Sequence, residues 1–193
     1  FYDVSEGEVL VDGINVKEYP LETLREKIGV VPQKAVLFKG TIRENMKWGK
    51  EDATDEEIWE ALEISQAKEF VEKKENGLDT MISQGGKNLS GGQRQRLTIA
   101  RALVKKPEIL IMDDSASALD FATDAKLRLA IGAMKEKLTV FIVSQRAASI
   151  QYADQIVVLD DGHVAGIGTH ETLLADCPVY QEIYYSQFPK EEK

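Results

Sequence analysis

The 193-residue chain carries 24 Lys and Arg against 33 Asp and Glu, a net charge of −9 that argues against a nucleic-acid backbone as its main partner. With 43 % hydrophobic and 30 % charged residues it has the balance of a globular domain, long enough for one large domain or one with a modest insertion. No apolar run approaches the roughly 20 residues of a membrane helix. The start "FYDVSEGEVL" has no secretory signal, and a single cysteine, Cys177, excludes an internal disulfide and suits a reducing compartment.

In chain order, "GEVLVDGINVK" (7–17) alternates around Asp12-Gly13 and predicts a hairpin. "LETLREKI" (21–28) has helical spacing with Pro20 placed to open it, and "IGVVPQ" (28–33) reads as a short buried strand. From about 41 to 87 the chain turns acidic and helical, with Ile58, Leu62 and Phe70 on an apolar stripe, and it closes in a glycine-rich stretch (76–88) read as loop. Beyond Ser90 the pattern is a helix over 91–105, a strand at 108–113, a helix at 122–136, a strand at 139–144, a short helix near 147–152 and a strand at 155–160. Asp161-Gly162 turns into a strand at 163–168, and two short helices follow. This alternation predicts an α/β fold with a mostly parallel sheet covered on both faces.

Two constellations carry chemistry. "EILIMD" ends an inner-strand run on Asp113, with Asp114 beside it, at the sheet end where α/β folds bind ligands. Paired carboxylates there suit Mg2+, a hard cation that keeps several waters, while helix capping explains the same residues equally well. "NLSGGQRQRLTIARAL" (88–103) sets Ser-Gly-Gly directly before an amphipathic helix. Small residues and the helix dipole favour an anion at that end, although a lone Ser-Gly-Gly is also an ordinary helix-initiating turn.

The longer strings resemble ABC-type ATPases. "LSGGQRQR" (89–96) matches their signature motif letter for letter, "ILIMDDSASALD" (109–120) resembles Walker B and the D-loop, and "VPQ" (31–33) resembles the Q-loop. "FIVSQR" (141–146) is similar to the switch segment, "FKGTIRENMKWG" (38–49) to the stretch after the Q-loop in exporters, and "VVLDDGHVAGIGTHETLL" (157–174) to the end of the domain. The resemblance implies a P-loop NTPase (RecA-like) core with an α-helical subdomain: core over 1–33, helical subdomain with signature over 34–105, and the rest of the core over 106–193. It implies ATP and Mg2+ as ligands, with Gln33 near metal and attacking water, and Asp113 holding the metal through water. Ser90, Gly91, Gly92 and Gln93 would clasp the γ-phosphate of ATP held by a second, facing nucleotide-binding domain, with Asp120 along the dimer seam. Transmembrane domains of a transporter are the other implied partner, which places the chain at the cytoplasmic face of a membrane without inserting into it.

Departures from the family pattern refine that expectation. Asp114 stands where the family has a catalytic glutamate, so its carboxylate falls short by roughly 1.5 Å, one carbon–carbon bond. Gln145 replaces the switch histidine; it donates a hydrogen bond but does not titrate near neutral pH. Gln84 replaces a glutamate that exporters usually carry just before the signature. A weakened cis site (Asp114, Gln145) beside an intact signature is the pattern of the degenerate-site subunit in a heterodimeric exporter. No GxxxxGK[ST] string occurs, and the first residue is Phe1, so the chain is expected to be the C-terminal portion of a longer protein, lacking the Walker A strand and helix and inactive alone. A soluble ABC ATPase acting on DNA or ribosomes, or a non-catalytic module that only clasps a partner's ATP, remain as alternatives. His163 and His170 are read as turn or surface residues and not ligands, and Cys177 as an ordinary thiol.

Overall fold

Asp12 and Gly13 both take positive φ, 51° and 77°. That pair of left-handed residues lets a two-residue turn match the twist of its strands. They join β1 (Leu10–Val11) to β2 (Ile14–Asn15), antiparallel with Val11 opposite Ile14, as the alternation predicted. The computed structural model describes residues 3–115, 117–134 and 138–189. Next come α1 (Leu21–Lys27), with Pro20 just before it, and β3 (Ile28–Val31). The middle of the chain holds β4 (Gly40–Thr41), α2 (Ile42–Lys47), α3 (Asp55–Ile64), α4 (Lys68–Glu72) and β5 (Met81–Ile82). Thr41 with Glu44, and Thr54 with Glu57, close reciprocal capping boxes that set the starts of α2 and α3.

The stretch expected as loop (76–88) instead contributes β5, paired with β4, and two short 3-10 turns at Gly77–Asp79 and Gln84–Gly86. A two-residue strand paired with a segment some forty residues away leaves no periodic trace in sequence. The rest runs α5 (Gly91–Leu103), β6 (Ile109–Asp113), α6 (Phe121–Gly132), β7 (Thr139–Val143), α7 (Ala147–Ile150), β8 (Ile156–Asp160), β9 (His163–Gly168), α8 (His170–Asp176) and α9 (Pro178–Gln187). The helix expected over 122–136 thus starts one residue early and ends at Gly132; residues 135–137 lie outside the described residues.

Three strands form the parallel sheet, in the order β3–β6–β7, with Val31 opposite Met112 and Asp113 opposite Val143. The other described strands pair as antiparallel ladders of two: β1–β2, β4–β5 and β8–β9. One face of the parallel sheet carries Val31, Leu110 and Met112 into a continuous core with Leu37, Ile42, Met46, Ile58, Leu62, Leu97 and Leu127. The opposite face is where the expectation of cover on both sides fails. There Val30, Ile111 and Phe141 stand in one cross-strand row, with Val30 38 % and Phe141 56 % exposed, and Val143 farther along is 57 % exposed. β7 has no ladder partner on its outer side among the described residues. A smaller core of Ile156, Val158, Leu173, Cys177 and Tyr180 joins β8 to α8 and α9. No helix among the described residues is long and apolar enough to cross a membrane.

Candidate functional site

Because β3, β6 and β7 are parallel and in register, their carboxyl ends open on one edge, the side on which α/β sheets bind ligands. Gln33 lies two residues past β3, Asp113 closes β6, and Gln145 lies two residues past β7. The Gln33 Nε2 donates to Asp114 Oδ2 across 3.5 Å, at the outer limit of a hydrogen bond. Asp114 is itself pinned by its backbone: its N–H donates to the Val143 carbonyl at 2.8 Å, and its carbonyl accepts from Ser117 Oγ at 2.9 Å. Its φ is +42°, a left-handed conformation that aspartate tolerates better than most residues. Asp113 is exposed. Among the described residues no cluster of three or more His, Cys, Asp or Glu is placed to hold a metal ion. Two adjacent carboxylates and one amide supply the hard oxygen donors that a hydrated Mg2+ accepts.

Ser90 is the N-cap of α5. Its Oγ accepts from the Gln93 N–H at 3.2 Å, while Gln93 Oε1 accepts from the Ser90 N–H at 3.0 Å. The reciprocal pair is a capping box, so the helix-initiating role of Ser90 is present in the fold. Arg94 braces the turn from below, its Nη1 donating to the Leu89 carbonyl at 2.7 Å. Ser90 and Gly91 are exposed. Gly92 lies so close to the Ala118 carbonyl that a Cβ there would meet it at 3.3 Å, which brings the start of α5 against the segment after Asp114. Asp120 caps α6, accepting from the Thr123 N–H at 2.9 Å and from its hydroxyl at 2.8 Å. Those two bonds, the backbone one first, hold the Asp120 carboxyl below the usual carboxylate range.

The chain therefore brings together Gln33 and Asp114, with Asp113 and Gln145 on the same edge. No hydrogen bond among the described residues joins Ser90, Gly91, Gly92 or Gln93 to that group. Gln84 lies in the 3-10 turn before α5, where the next residue, Gly85, donates its N–H to the Leu37 carbonyl at 3.2 Å. Cys177 is buried, and His163 is exposed at the β8–β9 turn. His170 is half-buried with its Nδ1 2.8 Å from Tyr180 Oη.

Three positions passed unnoticed in the sequence. Asn45, buried inside α2, donates to the Phe38 and Thr41 carbonyls and accepts from the Phe38 N–H, each at 2.9 Å, tying the segment after Gln33 to the helical layer. Its placement within a helix, where asparagine is disfavoured, is the signal that could have found it. Arg146 Nη2 donates to the Ser117 carbonyl at 3.0 Å and so links the loop after β7 to the loop after β6. Gln187, on the last turn of α9, reaches the backbone of the same loop.

A family model described as ABC transporter matches residues 1–117 of the chain. The chain belongs to the ABC transporter family. It is 49 % identical over 189 residues to an uncharacterized ABC transporter ATP-binding protein of Mycobacterium bovis, covering 96 % of this chain and 32 % of that protein. With the ATP-dependent lipid A-core flippase of Haemophilus ducreyi the identity is 43 % over 189 residues, covering 97 % of this chain and 32 % of the flippase. Among solved structures, a bacterial Atm1-family ABC exporter with ATP bound superposes with a TM-score of 0.93 at 35 % identity, covering 98 % of this chain and 33 % of that one. This ABC domain is homologous to the ATP-binding portions of exporters and spans about a third of the length of the curated relatives it matches.

Proposed function

We propose that this chain is the ATP-driven motor segment of an ABC exporter and that it serves the slow side of an asymmetric pair of nucleotide-binding domains. The observation that carries the reading is the Gln33–Asp114 contact at the strand ends, in reach but long at 3.5 Å. An aspartate at this point places its carboxylate about one bond short of where a glutamate would reach, and misplacement by about 1 Å at a reacting group costs on the order of 10²-fold in rate. Gln145 offers an amide N–H to a phosphate oxygen but cannot take up or release a proton near neutral pH. Asp113 and Gln33 would hold a Mg2+ ion through its waters, and the bound ion would supply neutralisation of charge on the phosphates.

Ser90, Gly91, Gly92 and Gln93 present a hydroxyl, small residues and a helix N-terminus to the γ-phosphate of ATP on a second nucleotide-binding domain. Asp120 lies along the seam between the two domains. The bare face of Val30, Ile111 and Phe141 and the free edge of β7 receive a helix and a strand of a phosphate-binding loop from elsewhere in the full-length polypeptide. By itself the chain does not hold ATP tightly. Membrane domains choose the cargo, and the motor works from the cytoplasmic side.

The test uses the full-length transporter with its partner subunit. Ser90→Arg should cut total ATP hydrolysis roughly tenfold or more by blocking the partner's site, whereas Asp114→Asn should change it by less than about twofold. Loss of hydrolysis with Asp114→Asn would show a fast site here and overturn the asymmetry. Full hydrolysis with Ser90→Arg would remove the role in trans.

A further inference from the structure

The loop after β7 is held from an unexpected direction. α7 is only four residues long, and its N-cap, Arg146, supplies no side-chain hydrogen bond. The first N–H of such a helix has no partner within it. Here the Ala147 N–H donates to Gln187 Oε1 at 3.0 Å, and Gln187 Nε2 donates to the Gln145 carbonyl at 2.8 Å. The two backbone groups set the orientation of the amide, since only an oxygen can face the N–H and only the NH2 can face the carbonyl. One planar group thus fixes the chain on both sides of Arg146, whose guanidinium reaches the Ser117 carbonyl.

α9 is itself anchored. Tyr180, 1 % exposed, sits in the smaller core with Ile156, Val158, Leu173 and Cys177, and Ile150 of α7 packs against the same cluster. Tyr180 Oη is 2.8 Å from His170 Nδ1, and the Tyr184 and Phe188 rings stack at 4.9 Å. The unit packed on β8 therefore ends in a side chain that grips the backbone of Gln145.

We infer that Gln187 is a positioning residue for the switch loop: it sets where the Gln145 amide stands and couples α9 to ATP retention at this subunit's own site. This rests on the reading of Gln145 as a phosphate contact. A glutamate at 187 would keep the acceptor for Ala147 but oppose the Gln145 carbonyl. An asparagine would fall one methylene short.

The experiment follows the lifetime of retained ATP in the full-length transporter, assembled with its partner in lipid nanodiscs. Radiolabelled ATP is bound and chased with excess unlabelled ATP. Gln187→Ala, Gln187→Glu, Gln145→Ala and the double alanine variant are compared, with thermal midpoints recorded for each. Gln187→Ala and Gln187→Glu should both shorten the half-life about three- to tenfold, the effect of one or two lost hydrogen bonds, with midpoints close to that of the parent. In the Gln145→Ala background, Gln187→Ala should add nothing. A normal half-life for Gln187→Ala beside a shortened one for Gln145→Ala overturns the positioning role and leaves the reading of Gln145 intact. An undiminished Gln187→Ala effect in the Gln145→Ala background also overturns it, because the action then runs through another group. A normal half-life for Gln145→Ala overturns the reading of Gln145 and the positioning role with it.

Discussion

On the proposed reading of this site, Asp114→Glu combined with Gln145→His should convert slow hydrolysis into turnover. The added methylene extends the carboxylate by about 1.5 Å. From a starting separation of 3.5 Å to Gln33 Nε2, that reach allows an ordinary hydrogen bond with oxygen to spare for a water. Correct placement of a general base is worth about 10²-fold. A titratable ring at 145 adds a group that can accept and return a proton. The gain carries a structural cost: residue 114 sits at φ +42°, where glutamate is less at ease than aspartate by about 1 kcal/mol. The double variant should therefore hydrolyse faster and unfold slightly earlier. Single-turnover hydrolysis at this site in the full-length transporter, with the partner's site blocked, measures the first effect, and calorimetry measures the second. A rate within about twofold of the parent, with nucleotide still bound, would refute the argument that one methylene limits the chemistry.

Asn45→Ala removes three hydrogen bonds from a residue 1 % exposed and leaves the Phe38 N–H and two carbonyls without that partner. It should cost about 2–4 kcal/mol, read as an earlier calorimetric transition of the full-length protein. Asp120→Asn isolates a charge effect, since asparagine caps a helix about as well as aspartate. The folded Asp120 carboxyl lies below its unfolded value of about 3.9, so its contribution is complete above that pH and is lost as pH falls through the folded value. At pH 7 the variant should melt slightly below the parent, and the gap should close on acidification below about pH 4, where the parent loses the charge contribution the variant never had.

Local signals account for much of what was readable before any coordinates. Asp12-Gly13 specified its turn because both residues accept positive φ, and Pro20 marked the start of the helix that follows it. The run Ile109–Asp113 read as an inner strand ending on a carboxylate because continuous apolar residues have few other uses at that length. The β4–β5 pair was invisible, since two residues on each strand produce no period. Gln187 was equally silent: nothing about a glutamine near the end of an aromatic-rich helix says which backbone it reaches.

The sequence alone determined the family and the residues on which the proposed chemistry rests: an intact "LSGGQ", an aspartate at 114 and a glutamine at 145. These are properties of side-chain type and local order, which neighbouring residues suffice to express. Tertiary structure alone decided that Gln33 meets Asp114, that Arg146 joins two loops, and that α9 grips the loop holding Gln145. It also decided which residues of the parallel sheet turn to the core and which to the opposite face. Each of these depends on elements far apart in the chain arriving within a few ångströms, and that proximity is fixed by parallel register and shared cores.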